Sequence, residues 1–115
     1  MKSKPAEDAI LELKGSVFEQ LGYPNAAEMQ RKTLLMHVIT EAIKRQGLTQ
    51  NEAGKKVGMS QADVSRIGTG KGYRFSIDRL LTVIHRLGVD VELTQRHDED
   101  GHLVVQVREL TVASA

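Results

Sequence analysis

Helix-capping residues and glycines alternate along most of this sequence, and together they limit all but one helix to a few turns. A short polar residue followed three positions later by an acid is typical of a helix start, because both side chains bond free backbone amides. The pattern occurs at Ser16/Glu19, Asn25/Glu28, Thr49/Glu52 and Ser60/Asp63, with a weaker version at Ser76. Glycines suited to ending helices follow at Gly22, Gly47, Gly58, Gly68 or Gly70, and Gly88. The sequence therefore predicts five helices, at about 17–21, 26–46, 50–57, 61–68 and 77–87.

Beyond Gly88 the apolar residues recur with a period of two, which indicates β-strands. They are Val89, Val91 and Leu93 in the first strand and Leu103, Val105 and Val107 in the second. The segment HDEDG between them carries an Asp-Gly turn signal. Since directly opposed residues share a face, the loop should have an odd length. We predict a five-residue loop, 97–101, with Leu93 opposite Val105 and Val91 opposite Val107.

These patterns predict a mainly α fold with a C-terminal β-hairpin. Residues 1–15 carry no firm helix start or stop, and we expect this N-terminal segment to be partly disordered. Residues 16–88 form the helical domain, and residues 89–112 form the hairpin.

Residues 49–71 predict two short helices joined by a tight bend. Gly58 ends the first helix and Ser60 caps the second, which is the arrangement that a helix-turn-helix needs. The apolar residues expected to pack across the bend are Ala53, Val57, Val64 and Ile67, with Met59 buried in the corner. Gly54 costs about 1 kcal/mol inside a helix, so its presence predicts a close approach of the two helices.

The charge is unevenly distributed along the chain, although the net charge is only +1. Residues 44–74 contain seven basic and two acidic side chains, a balance of +5. Residues 1–30 and 75–115 are acidic, at −2 and −3. A basic centre favours a polyanionic partner, and a solvated helix face is the alternative explanation.

One face of the second short helix is suited to reading DNA. At about 100° per residue, a helix that buries Val64 and Ile67 turns small and hydrogen-bonding residues outward. Gln can pair with adenine and Arg with guanine in the major groove, and small neighbours permit close approach. We therefore expect base contacts from Gln61, Ala62, Ser65 and Arg66. Phosphate contacts are expected from Thr49, Gln50, Thr69, Lys71 and Arg74.

The segment TQNEAGKKVGMSQADVSRIGTGK resembles the helix-turn-helix of the Xre family, which includes the lambdoid phage repressors and Cro. The matching residues are Gln50, Ala53, Gly58, Val64, Ser65 and Ile67. The resemblance implies a five-helix, lambda-repressor-like domain that regulates transcription by binding double-stranded operator DNA. Two positions depart from the family pattern: Gly54 replaces the usual alanine, and Gly68 shortens the recognition helix.

A narrower resemblance, over about residues 16–93, is to the HigA-type antitoxins within that family. It is carried by SVFEQLGYPNAAEM, GLTQNEAGKKVGMSQADVS, FSIDRLL and LGVDVEL. This resemblance implies a homodimer that binds its operator and also binds a RelE-like toxin encoded beside it. A solo repressor with no toxin partner is the alternative.

A single recognition helix buries little surface, which also favours a two-fold dimer. A lone hairpin is marginal in water and has free edges, so it is a candidate dimerisation element. Folding back on the fifth helix of its own subunit is the alternative.

Several other classes of function find no support in the sequence. Without cysteine there are neither disulfides nor thiolate metal sites, and the four histidines lack ligand spacing. No nucleophile–base pair, phosphate loop or dinucleotide motif occurs, so we expect neither an enzyme nor a bound cofactor or metal. No apolar run approaches the roughly 18 residues needed to span a membrane, and the N-terminus lacks a signal core, which predicts a cytoplasmic protein.

Overall fold

The computed structural model describes residues 10–110, and it contains five helices and three strands. In chain order they are β1 (Ile10–Lys14), α1 (Val17–Gln20), α2 (Ala26–Arg45), α3 (Gln50–Val57), α4 (Gln61–Gly68), α5 (Ile77–Arg86), β2 (Asp90–His97) and β3 (Leu103–Leu110). All five predicted helices are confirmed, and their ends differ from the prediction by one residue at most. Helices account for about half of the described residues, so the fold combines a helical domain with a sheet.

Side-chain caps hold four of the five helix starts. Ser16, Thr49, Ser60 and Ser76 each accept a hydrogen bond from the amide three residues ahead. Asn25 makes no such bond, so the predicted cap of α2 is wrong at this residue. Its backbone (φ −111°, ψ 35°) departs from the extended conformation of the other caps, which is the one that directs the side chain at the third amide.

The N-terminal segment contributes a strand, where the sequence patterns predicted partial disorder. Residues 10–14 form β1 and pair antiparallel with β3, giving the sheet order β1-β3-β2. Leu11 and Leu13 turn toward the core while Glu12 and Lys14 are exposed. Apolar and polar residues thus alternate in this segment, and it forms a strand because it can pair with the edge of β3. Residues 1–9 of the predicted disordered segment, and the hairpin end at 111–112, lie outside the described residues.

The hairpin loop has the predicted odd length but starts one residue later than expected. His97 pairs with Leu103 and Leu93 with Val107, so the loop is 98–102 and the predicted pairing of Leu93 with Val105 is wrong. Asp98 explains the shift. Its side chain accepts hydrogen bonds from the amides of Asp100 (3.0 Å) and His102 (2.9 Å), so Asp98 is the first residue of the loop, where the prediction made it the second.

Helix α2 lies at the centre of the fold, between the helix-turn-helix and the sheet. Lys32 and Met36 contact the segment after α4. Gln30, Arg31 and Arg45 contact the three strands. At about 100° per residue these two sets occupy opposite sides of α2. The hairpin therefore packs within its own subunit, mainly against α2 and to a smaller extent against α5, the helix considered as the alternative to dimerisation.

The apolar residues expected from the periodicity form the core. The sheet buries Leu103, Val105 and Val107, and α2 buries Leu34, Leu35, Val38, Ile39 and Ala42. Across residues 10–110, none of the helices has both the length and the apolar character that crossing a bilayer requires.

Candidate nucleic-acid interface

The bend between α3 and α4 has the geometry that the sequence predicted. Gly58 takes the left-handed conformation (φ 73°), and the amide of Met59 bonds the carbonyl of Gly54 at 2.8 Å. The four apolar residues that flank the bend are almost completely buried, with exposed fractions of 4% or less, and Met59 is buried in the corner. The bend is therefore held by packing on both sides.

Close approach at Gly54 is also confirmed, although the nearest atoms belong to the backbone of the bend and not to α4 itself. A Cβ atom placed on this residue would lie 2.4 Å from the carbonyl oxygen of Met59, far inside contact distance. Gly54 is helical and has a negative φ, which any residue can adopt. The lack of space for a side chain therefore explains why a glycine is needed here, and the backbone conformation does not.

The C-terminus of α3 is covered by a side chain from α5. The guanidinium of Arg86 donates to the carbonyl of Val57 at 3.0 Å and lies beside Gly58. A cation at a helix C-terminus meets the partial negative charge of the free carbonyls there. Arg86 thus links the bend to the rest of the domain, and helical periodicity alone did not reveal this.

Helix α4 turns the predicted base-reading residues away from the core. Gln61, Ala62 and Arg66 are exposed, and Ser65 is half-buried. Val64 and Ile67 occupy the opposite, buried face. The structure thus brings these four side chains to one surface.

Two of these side chains are already hydrogen-bonded. Arg66 Nη1 lies 2.6 Å from Asp63 Oδ1, and both side chains are partly exposed. The Nε2 of Gln61 donates to the Oε1 of Gln50 across the bend. Exposed ion pairs contribute about 0–1 kcal/mol, so Arg66 can leave Asp63 for a stronger acceptor.

The residues predicted to contact phosphate differ in how their polar groups are used. Thr49 accepts a bond from the amide of Glu52 at 3.1 Å, so its oxygen serves as the cap of α3. The hydroxyl of Thr69 donates to the carbonyls of Ser65 (3.0 Å) and Arg66 (3.3 Å). The hydroxyl of Thr69 could donate to a phosphate only by giving up its bonds to these two carbonyls.

Gln50, Lys71 and Arg74 are exposed. Gln50 begins α3, and Lys71 and Arg74 lie in the segment 69–75 that follows α4. The guanidinium carbon of Arg74 lies 5.7 Å from the centre of the Phe75 ring, within the range of a cation–π contact. The structure thus exposes all three side chains and bonds two of these residues to α4, Gln50 through Gln61 and Lys71 through the carbonyl of Arg66.

The charges of the molecule are separated across α2. The basic segment 44–74, at +5, contains α3, α4 and the segment after α4, although one of its seven basic residues, Arg45, lies on the sheet side of α2 and pairs with Glu109. The hairpin residues 90–110 contain six acidic and two basic side chains, a balance of −4, and lie on the other side of α2. The recognition surface therefore faces away from the acidic part of the molecule.

Comparisons with known proteins agree with this geometry. A family model described as a helix-turn-helix domain matches residues 17–95. A solved structure named as an XRE-family transcriptional regulator is 34% identical in sequence, with a TM-score of 0.58, and the match covers 66% of this chain and 85% of that one. The search of curated proteins found no match. The chain belongs to the Xre family of helix-turn-helix transcriptional regulators.

Proposed function

We propose that this regulator is a repressor that binds a two-fold symmetric operator as a homodimer, with α4 of each copy in the major groove. The observation that supports this most is the outward face of α4, where polar and small side chains lie opposite the buried Val64 and Ile67. The local balance of +5 supplies the attraction to phosphates that specific and non-specific binding share.

Each residue on this surface has a proposed role. Arg66 exchanges Asp63 for a guanine, while Gln61 reads an adenine and keeps its contact to Gln50. Ala62 and Ser65 let the helix approach the base edges. The sugar-phosphate backbone is contacted by Gln50, Lys71 and Arg74, with Thr49 and Thr69 as further hydroxyl contacts.

Arg66→Ala tests the base-reading role. With duplexes selected from a random pool, we expect a loss of about 1–3 kcal/mol and relaxed preference at one base pair. Lys14→Ala is the matched control, because Lys14 is also exposed and ion-paired, at 2.9 Å with Asp98, but lies on β1, at the edge of the sheet opposite β2. Selected duplexes that bind Arg66→Ala as tightly as wild type would refute the proposed recognition face.

The free edge of β2 is the proposed dimer contact. The amide of Asp98 donates to the carbonyl of His102 on the opposite side of the hairpin. Along an antiparallel pair every second residue bonds the partner strand, so the even-numbered residues of β2 bond β3. The amides and carbonyls of Val91, Leu93 and Gln95 therefore point away from β3. Antiparallel pairing of two β2 strands about Thr94 would use these groups and continue the sheet into the second copy.

That pairing is also complementary in charge. About Thr94, Glu92 of each copy lies opposite Arg96 of the other, which gives two opposite-charge pairs on the exposed face of the sheet. We expect Arg96→Glu and Glu92→Arg each to weaken the dimer in sedimentation experiments. An equimolar mixture of the two variants should restore it, because both pairs become opposite in sign. An undiminished Arg96→Glu dimer would exclude this edge.

An antitoxin role is the proposed biological context, with a solo repressor as the alternative. The acidic hairpin, on the side of α2 away from α4, supports it because it offers a surface to a basic partner while α4 remains free for DNA. A neighbouring gene for a small basic protein, whose product co-purifies and changes operator affinity, would support the antitoxin. An isolated gene would favour the solo repressor.

A further inference from the structure

The segment 69–75 between α4 and α5 contains two glycines, yet it is fixed to α2. Gly72 is buried, and a Cβ atom there would lie 2.8 Å from the sulfur of Met36 and 3.3 Å from the Phe75 ring. The hydroxyl of Tyr73 is 2.6 Å from that of Thr33. Phe75 is itself buried. Three of the seven residues are therefore packed against the domain.

A buried lysine makes a polar contact to the backbone of this segment. Lys32 is 6% exposed, and its Nζ donates to the carbonyl of Tyr73 at 2.9 Å. The same Nζ lies 3.0 Å from Oε2 of Glu28, one turn earlier on α2. A buried ammonium group is costly unless it is paired and hydrogen-bonded, and here both requirements are met. A buried cation at this place is therefore tied to the backbone conformation of the segment.

The two exposed basic residues of the segment lie directly before anchored ones. Lys71 and Arg74 are exposed, and each is followed directly by a packed residue, Gly72 or Phe75. The amide of Lys71 also bonds the carbonyl of Arg66 at 2.7 Å, which joins the segment to the end of α4. The two basic side chains thus project from a fixed backbone beside the recognition helix.

We propose that Lys32 is a positioning residue for DNA binding. It does not touch DNA. It fixes the backbone at Tyr73, so that Lys71 and Arg74 meet the sugar-phosphate backbone without first being ordered. This inference rests on the proposed function, because it takes those two residues to be phosphate contacts.

Lys32→Met tests the inference, because methionine is unbranched and apolar but lacks the ammonium group. Affinity for a selected duplex is measured by fluorescence anisotropy at several salt concentrations. We expect the affinity to fall about tenfold and the slope of log K against log salt to flatten by about 1–2, as for one or two lost phosphate contacts. Lys14→Met is the control, since it removes the same charge from a lysine paired with Asp98 on the sheet. It should leave affinity and slope unchanged.

A double-mutant cycle separates positioning from loss of stability. If Lys32 acts through Lys71, then Lys71→Ala should cost less in the Lys32→Met background than in wild type. Fully additive losses, or a Lys32→Met variant with wild-type affinity and slope, would overturn the inference. Should Lys32→Met fail to fold, Tyr73→Phe is the substitute, because it removes only the bond to Thr33. We then expect a smaller loss of affinity and a smaller flattening of the salt slope.

Amide hydrogen exchange gives a readout that does not involve DNA. In free Lys32→Met protein, the amide of Phe75, which bonds the carbonyl of Gly72 at 3.1 Å, should exchange faster than in wild type. Faster exchange combined with a wild-type protein that binds no duplex would refute the proposed function and leave the anchoring role of Lys32 supported. Unchanged exchange would overturn the anchor itself.

Discussion

Replacing Gly54 with alanine should destabilise the helix-turn-helix although alanine is the better helix former. The added Cβ would stand 2.4 Å from the carbonyl oxygen of Met59, and contacts under 3.0 Å essentially never occur, so the backbone must move by at least 0.6 Å. Overpacking of this kind costs about 1–3 kcal/mol or more. The helical preference for alanine returns only about 0.5–1 kcal/mol. We expect a net loss of about 1–2 kcal/mol, and a displaced α4 that binds duplex DNA more weakly.

Gly68→Ala is a matched control, because Gly68 is the other helical glycine of the two short helices and has no atom within 4 Å of the added Cβ. Urea titration followed by circular dichroism should show a gain of up to about 0.5 kcal/mol for Gly68→Ala, because Gly68 is the last residue of α4 and the full preference of about 0.5–1 kcal/mol applies inside a helix. The corresponding change in melting temperature is roughly 4 °C per kcal/mol, downward for Gly54→Ala and upward for Gly68→Ala. If both variants gain stability alike, the close contact at Gly54 does not exist.

Three further substitutions have outcomes fixed by single contacts. Arg86→Ala should lower the free energy of unfolding by about 1 kcal/mol in urea titrations, because it removes a charged donor from the C-terminus of α3. The hydrogen bond from Lys14 lowers the pKa of Asp98 from 3.8 to about 2. Its stabilisation is therefore complete above pH 4 and is lost as the pH falls through about 2, so the stability gap between wild type and Asp98→Asn should close over that range. Asp63→Asn releases Arg66 and removes a negative charge near DNA, so anisotropy titrations should show tighter binding to selected and scrambled duplexes alike.

Local patterns were sufficient for the helices and for the bend. A cap such as Ser60 and a stop such as Gly58 act within a few residues, and the apolar spacing of Val64 and Ile67 fixes which face of α4 is buried. The orientation of the predicted recognition face follows from those two facts alone. None of these features depends on a distant partner, which explains why all five helices were predicted correctly.

Long-range pairing was not predictable in the same way. β1 forms because it pairs with β3, where Arg108 lies opposite Ile10 although the two are far apart in the chain. A segment of five residues with two leucines is not enough to predict a strand on its own. The loop shift arose from side-chain bonds of Asp98 that compete with the strand pattern. The ion pair of Arg66 with Asp63 could have been noticed from the i, i+3 spacing, which is common on helix surfaces.

The contact of Lys32 with Tyr73 had no signal in the sequence. A lysine flanked by polar residues at the start of a long helix reads as an exposed side chain, and its burial depends on where the segment after α4 returns to α2. Charged residues are almost never buried without partners. Of the two partners here, Glu28 is visible in the sequence from its i, i+4 spacing, but the carbonyl of Tyr73 is a backbone group and leaves no trace in the residue types.

The separation of charge across α2 predicts opposite effects of salt on the two proposed interfaces. DNA binding by the basic side should weaken steeply with salt, because bound phosphates release counterions. Joining two hairpins of net charge −4 brings like charges together, so screening should favour the dimer even though it also weakens the pairs between Glu92 and Arg96. Sedimentation from about 50 to 500 mM salt should therefore show a tighter dimer, while anisotropy over the same range shows weaker DNA binding. A dimer that dissociates as salt rises would refute the predicted sign, and would mean that attraction between opposite charges, such as Glu92 and Arg96, outweighs the repulsion between the two hairpins.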